Sequence, residues 1–198
     1  MFATPPPCGL ARAGGSNGLA ISHRPSGTIH PHRPLPISNT TANSPCRTPS
    51  KLRIMWRQAA TAAFPGVGFR EPAQASDLVV AETRLRRTLP AELRQLLLES
   101  NGVIGPTHVD TVWPVDQICE RNLLFWSDQT FAQLYMTFDA LFFFGDNGGG
   151  DQFAFVQKPE RPDIFVWEHE SDSRRWVANN LQDYLGRSLR AGDDWYQL

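Results

Sequence analysis

Asp146 and Asp151 bracket Asn147 and three consecutive glycines in FFFGDNGGGDQFAFV, residues 142–156. Acidic side chains around so much glycine raise three chemistries. A phosphate loop needs backbone amides that open a helix, usually with a lysine to meet the phosphate charge. Here the glycines lead into a Phe/Val-rich strand, no lysine is present, and two carboxylates would repel a phosphate. A calcium loop needs oxygen ligands at alternate positions and a closing bidentate Glu. Asp146, Asn147 and Asp151 supply oxygens, but no Glu stands at the closing position. The two aspartates could also serve as general acid and base, although nothing in the sequence places a partner for them. A hairpin turn accounts for all of these residues, because Asn-Gly and Gly-Gly tolerate positive φ. On this reading the aspartates and glycines shape the backbone.

The other candidate residues are sparse. WEHESD, residues 167–172, gathers Glu168, His169, Glu170 and Asp172. Alternation along a strand sends Glu168 and Glu170 to one face and His169 to the other, which argues for a solvated strand end and against a metal centre. His108 is isolated, no serine lies in a nucleophile elbow, and Cys119 has no histidine placed to form a dyad. The residues therefore name no catalytic group, no metal and no cofactor.

Several elements must position these side chains. SDLVVAETRL reads as a helix with Ser76 as cap, Asp77 at the positive end of the dipole, and Leu78, Ala81, Glu82 and Leu85 along one face. LPAELRQLLLESNG is a second helix. Pro90 and Glu92 favour its first turn, Leu93, Leu96 and Leu97 form its buried stripe, and Asn101-Gly102 offers a left-handed stop. A short strand ending at Trp113 precedes a helical turn opened by Pro114 and Asp116. SDQTFAQLY suggests another short helix, capped by Ser127. Ala140 to Phe144 is apolar throughout, as a strand covered on both faces requires. QFAFVQ and DIFVWEHE read as further strands. NNLQDYLGRSL closes the chain as a helix, with Asn180 and Asp183 approximating a capping box. Helices, then strands, then a terminal helix indicate an α+β fold with a largely antiparallel sheet.

Charge divides the 198-residue chain into two unlike parts. Residues 1–70 hold eight Lys/Arg and no acid (+8), whereas residues 71–198 hold all 20 acids and 11 bases (−9). The first fifty residues contain 9 of the 16 prolines, which precludes a helix or a central strand there. Residues 1–54 read as a disordered, basic, Pro/Ser-rich extension, 55–75 as an irregular lead-in, and 76–198 as the folded domain. The extension lacks a secretory apolar run. It has the composition of a transit peptide, but its prolines oppose the amphipathic helix such peptides use. Met55 is an alternative start. Cys8, Cys46 and Cys119 form neither a close pair nor a metal-ligand spacing, so a reducing, cytoplasmic setting is expected. No apolar stretch is long enough to span a membrane.

Taken in order, LPAELRQLLLESNG, VWPVDQI, FFFGDNGGGDQFAFV, DIFVWEHE and VANNLQDYL resemble the SUKH superfamily, founded on the Smi/Knr-type fungal cell-wall regulators. The resemblance covers about residues 76–190. It implies an α+β domain with a curved central sheet flanked by helices. The positions matching its motifs are Leu89, Pro90, Asn101, Gly102, Trp113, Gly150, Asp151, Trp167 and Asp183, most of them structural in character. The family brings no catalytic residues to carry over.

The resemblance implies a protein-binding function. Bacterial relatives are mostly immunity proteins that block secreted toxins, often nucleases, and fungal relatives are regulatory interaction proteins with disordered flanks. An acidic domain suits a basic toxin partner and disfavours specific nucleic-acid binding by the folded part. The expected partner-binding residues are Trp113, Asp146, Asn147, Asp151, Glu168 and Glu170. The readings open at this point are an immunity module, a regulatory scaffold recruiting one partner through its extension, and an enzyme centred on Asp146 and Asp151.

Overall fold

Trp56 and Ala60, four residues apart and both buried, anchor the first helix, α1 (Trp56–Ala63). This corrects the expected irregular lead-in. Pro65 and Gly66 end the helix instead of forbidding it, and β1 (Gly68–Phe69) follows them. The structure, a computed structural model, describes residues 55–191 and 195–197. The extension expected over residues 1–54 lies outside the described residues.

Helix α2 (Ala75–Leu85) buries Leu78, Ala81 and Leu85. Its cap is Gln74, reciprocally bonded with Asp77, so the expected cap Ser76 sits inside the first turn. Helix α3 (Ala91–Glu99) starts directly after Pro90 and buries Leu93, Leu96 and Leu97 as its spacing predicts. The expected left-handed stop at Asn101-Gly102 is replaced by an extended Ser100. Gly102, at φ +110°, serves the next turn, where a Cβ would come within 2.9 Å of the Val112 carbonyl oxygen. β2 (Val103–Ile104) and β3 (Asp110–Val112) complete a first sheet.

After Pro114 the chain forms the 13-residue α4 (Val115–Ser127), well beyond the single turn expected. The short helix α5 (Gln129–Leu134) is capped by Asp128, whose carboxylate accepts from the Thr130 N–H at 2.7 Å. Ser127, the expected cap, instead donates to the Leu123 carbonyl. The second sheet holds β4 (Leu141–Asp146), β5 (Gln152–Gln157), β6 (Glu160–Glu168) and β7 (Ser173–Ala178), and α6 (Leu181–Ala191) follows. β7 was not anticipated, because Arg174 and Arg175 interrupt its apolar pattern and only Val177 and Ala178 are buried.

All strand pairs are antiparallel, in the orders β1-β2-β3 and β4-β5-β6-β7. The α+β class expected from the sequence is the one adopted, with the strands divided between two open sheets. These meet where the Trp113 N–H donates to the Phe144 carbonyl at 2.8 Å.

The continuous apolar run of β4 is explained by what covers it. Phe143 packs against Phe125 of α4 with ring centroids 4.7 Å apart, while its neighbour Phe144 meets Tyr184 of α6 at 5.0 Å. Successive side chains point to opposite faces, so a strand between two helices must be apolar at every position. Each buried phenylalanine contributes about 1.5–3 kcal/mol of transfer free energy. The outward rim of β4 is also closed. Asn122 of α4 donates to the Phe143 carbonyl (2.7 Å) and accepts from its N–H (2.8 Å), and the Trp126 indole donates to the Leu141 carbonyl at 3.2 Å.

Candidate functional site

The glycine-rich segment is the β4–β5 hairpin loop. The ladder closes with Asp146 opposite Gln152, leaving Asn147–Asp151 as a five-residue connection. Gly148 (φ +76°) and Gly150 (φ +113°) take the left-handed conformations that the turn chemistry anticipates. Gly150 has a second reason to be glycine, since a Cβ there would lie 2.7 Å from Cε1 of His169.

Every acidic or amide side chain of this loop is occupied internally. Asp146 accepts from the Trp113 indole N–H at 2.8 Å and from the Gly148 N–H at 2.7 Å. The Asn147 side-chain oxygen accepts from the Gly149 and Asp151 amides, and its Nδ2 donates to the Tyr196 hydroxyl at 2.6 Å. Asp151 Oδ1 meets both the backbone N–H (3.1 Å) and Nδ1 (2.8 Å) of His169. Its Oδ2 accepts from the Tyr196 hydroxyl at 2.8 Å. The carboxylate thus pins the loop to the end of β6 and to the C-terminal segment.

Electrostatics follow from these bonds. Burial pushes the Asp151 carboxyl up, but the His169 ring, the Tyr196 hydroxyl and the His169 amide together outweigh it and hold it below its ordinary value. Burial, joined by the hydrogen bond to Asp151, pushes the Tyr196 phenol up to about 12. Arg175 and Ser173 hold Glu168 below its ordinary value, and the Arg175 guanidinium also donates to the Tyr196 carbonyl. Glu170 is exposed.

Asp151 and His169 form the orienting half of a catalytic triad, a carboxylate on Nδ1 with the ring about two-fifths exposed. The other half is not found among the described residues. Among the described residues no hydroxyl or thiol is hydrogen-bonded to His169, and Cys119 is buried in α4. A cavity on the Asp146–Asn147 side of the loop, bounded also by Thr111, Phe153 and Tyr184 and touched by neither Asp151 nor His169, measures about 20 Å³, roughly room for one water. Among the described residues no three His, Cys, Asp or Glu side chains gather as metal ligands.

The expected partner-binding residues therefore divide. Asp146, Asn147, Asp151 and Glu168 converge on one end of the second sheet, with Glu170 beside them. Trp113 does not join a surface there: it is fully buried, with its indole turned onto Asp146. An aromatic next to a strand end looks like a surface anchor in sequence, but here it fills the seam between the two sheets. The residues matching the family motifs occupy structural positions. Leu89 is buried, Pro90 precedes α3, and the Asn101 side chain accepts from the Val115 N–H at the start of α4. The Trp167 indole donates to Asp172, and Asp183 accepts from the Asn179 N–H and pairs with Arg187 on α6.

His169, Arg175 and Tyr196 were missed as parts of this cluster. Strand pairing could have found His169: Gln152 lies opposite Trp167, so Asp151 must fall near residues 168–169. The expected solvated strand end is in fact stitched to the hairpin loop.

Among the described residues no helix is long and apolar enough to cross a membrane. No curated protein matches the chain. The profile of the SMI1-KNR4 cell-wall family, SUKH_6, matches residues 75–185, more than half of the chain and all of α2 through β7. Together with the antiparallel α+β architecture, this establishes that the chain belongs to the SMI1-KNR4 cell-wall family of SUKH domains.

Proposed function

We propose that this chain is a non-catalytic protein-binding domain of the immunity type, which occludes a basic toxin domain such as a nuclease in a reducing, cytoplasmic compartment. The observation that carries the reading is the full internal use of Asp146, Asn147 and Asp151, whose side chains hold the loop in place and leave no carboxylate oxygen of Asp151 unbonded. Family membership supports a protein-binding role. A loop whose polar atoms are bonded inward is pre-organised, which lowers the ordering cost of association.

Glu168 is largely neutralised by Arg175, and both oxygens of Asp151 are bonded inward to His169 and Tyr196, so their share in attraction is small. Direct contacts fall to Glu170 and the exposed Gly148 and Gly149, and the −9 charge of residues 71–198 steers a basic partner. Co-expression with a toxin encoded beside the gene should restore growth, and Glu170→Lys should weaken that rescue. A neighbouring toxin that kills equally well in the presence of this protein would overturn the reading.

A second reading rests on the acid-free charge of +8 over residues 1–70. In a regulatory scaffold of the Smi/Knr type, the extension recruits one partner and the domain another. Removing residues 1–54 separates the two: an immunity domain keeps its affinity, and a scaffold loses a partner.

A further inference from the structure

A second cavity lies far from the glycine loop. It is a groove of about 770 Å³ between the α2–α3 connection and the β5–β6 hairpin. The β4–β5 and β5–β6 turns sit at opposite ends of β5, roughly 20 Å apart for a strand of this length. The groove is therefore a separate surface.

Its walls are preformed. The Gln157 side chain donates to the Thr88 carbonyl at 2.9 Å, tying hairpin to connection, and the Leu89 N–H donates to Glu82 at 3.1 Å. Pro90, Val156 and Pro162 give it an apolar seat over the buried Leu89 and Phe155.

Its sign is opposite to that of the domain. Arg86, Arg87, Lys158 and Arg161 line it against only Glu92 and Glu160, although residues 71–198 carry −9 overall. Glu92 is engaged by the Leu181 N–H. Arg87 stacks on Trp126 and Arg161 pairs with Asp163. Arg86 and Lys158 are exposed, and among the described residues neither has an ion pair. Arg86 also holds φ +54° at the end of α2, where glycine is the residue that fits without strain. A long cation thus stands at a position where the backbone favours glycine.

We propose that this groove docks an acidic, extended segment of a protein partner, its carboxylates met by Arg86 and Lys158 and an apolar side chain seated against Pro90, Val156 and Pro162. Arginine clusters beside apolar seats are a recurrent means of reading acidic peptides. The chain's own residues 1–54 contain no Asp or Glu and cannot supply the carboxylates. A basic toxin would be repelled, so this partner differs from the one proposed above and its test is independent of growth rescue.

The experiment is a titration of the isotopically labelled full chain, followed by backbone amide NMR shifts. The probes are a peptide of three Asp-Glu-Leu repeats, its Asn-Gln-Leu counterpart, and an oligothymidylate. The acidic peptide should shift amides in 86–91 and 155–162, and its binding should weaken with salt. Arg86→Glu with Lys158→Glu should weaken it by roughly tenfold; if that variant fails to fold, Arg86→Gln with Lys158→Gln should give a smaller loss. Four results would each overturn the proposal: silence up to roughly millimolar peptide, shifts confined to 147–151, an equal response to the neutral peptide, or tighter binding of the oligothymidylate.

Discussion

The Nδ1 of His169 lies 2.8 Å from Oδ1 of Asp151, joining the end of β6 to the loop that precedes β5. The Tyr196 hydroxyl meets the other oxygen of the same carboxylate. One side chain thus holds three segments together, which makes the cluster a structural joint whose strength can be measured.

Asp151→Ala should cost about 1–3 kcal/mol at neutral pH, because His169 and Tyr196 lose a charged acceptor. The Asp151 carboxyl is held below its ordinary value in the folded state. Its stabilisation is therefore complete above the ordinary carboxylate value, about 3.9, and is lost as pH falls through the folded value. Urea denaturation of both proteins should show the wild-type advantage shrinking in acid. An advantage that persists unchanged to the lowest accessible pH would refute this assignment.

Tyr196 gives the opposite dependence. Its phenol is raised to about 12, so the unfolded chain deprotonates first. The stabilisation is complete below the ordinary phenol value, about 10, and disappears as pH climbs toward 12. Tyr196→Phe should cost about 1 kcal/mol at neutral pH and flatten the alkaline limb, which thermal melts across alkaline buffers would record.

Two glycines should respond to alanine with opposite signs. Gly150→Ala forces a side chain into φ +113° and to 2.7 Å from the His169 ring, a loss of about 1–3 kcal/mol. Gly186 lies inside α6, where a Cβ meets nothing closer than 3.6 Å, from Arg190. Gly186→Ala should gain about 0.5–1 kcal/mol. Paired urea melts decide both.

Asn122→Ala removes the donor and the acceptor that satisfy Phe143 of β4. Two buried backbone groups are left without partners, at about 1–3 kcal/mol each. The variant should show a lower denaturation midpoint and a weakened near-ultraviolet dichroism signal from the surrounding aromatics. A midpoint equal to that of the parent would mean that water replaces the amide.

The parts of this fold legible in sequence were those governed by local period and turn chemistry. The stripe of Leu93, Leu96 and Leu97, the unbroken run into Phe144 and the glycines of the hairpin each follow from nearest-neighbour rules. What stayed hidden depends on partners distant in sequence. Whether Trp113 faces solvent is decided by Asp146 and by the junction of two sheets. The strand β7 is concealed by arginines whose charges are met elsewhere: Arg174 by the carbonyls of Met136 and Thr137, and Arg175 by Glu168. The first helix was obscured by prolines and glycines that lie beyond its end.

The sealing of β4 by Asn122, Trp126 and Trp113 has a consequence for self-association. A foreign strand recruited from a second molecule finds no open ladder along that side of the four-stranded sheet, so strand addition to this sheet is directed to its other edge, β7. There Arg174 and Arg175 stand as gatekeepers, and strand-by-strand fibril growth must first displace two positive charges from their anchors.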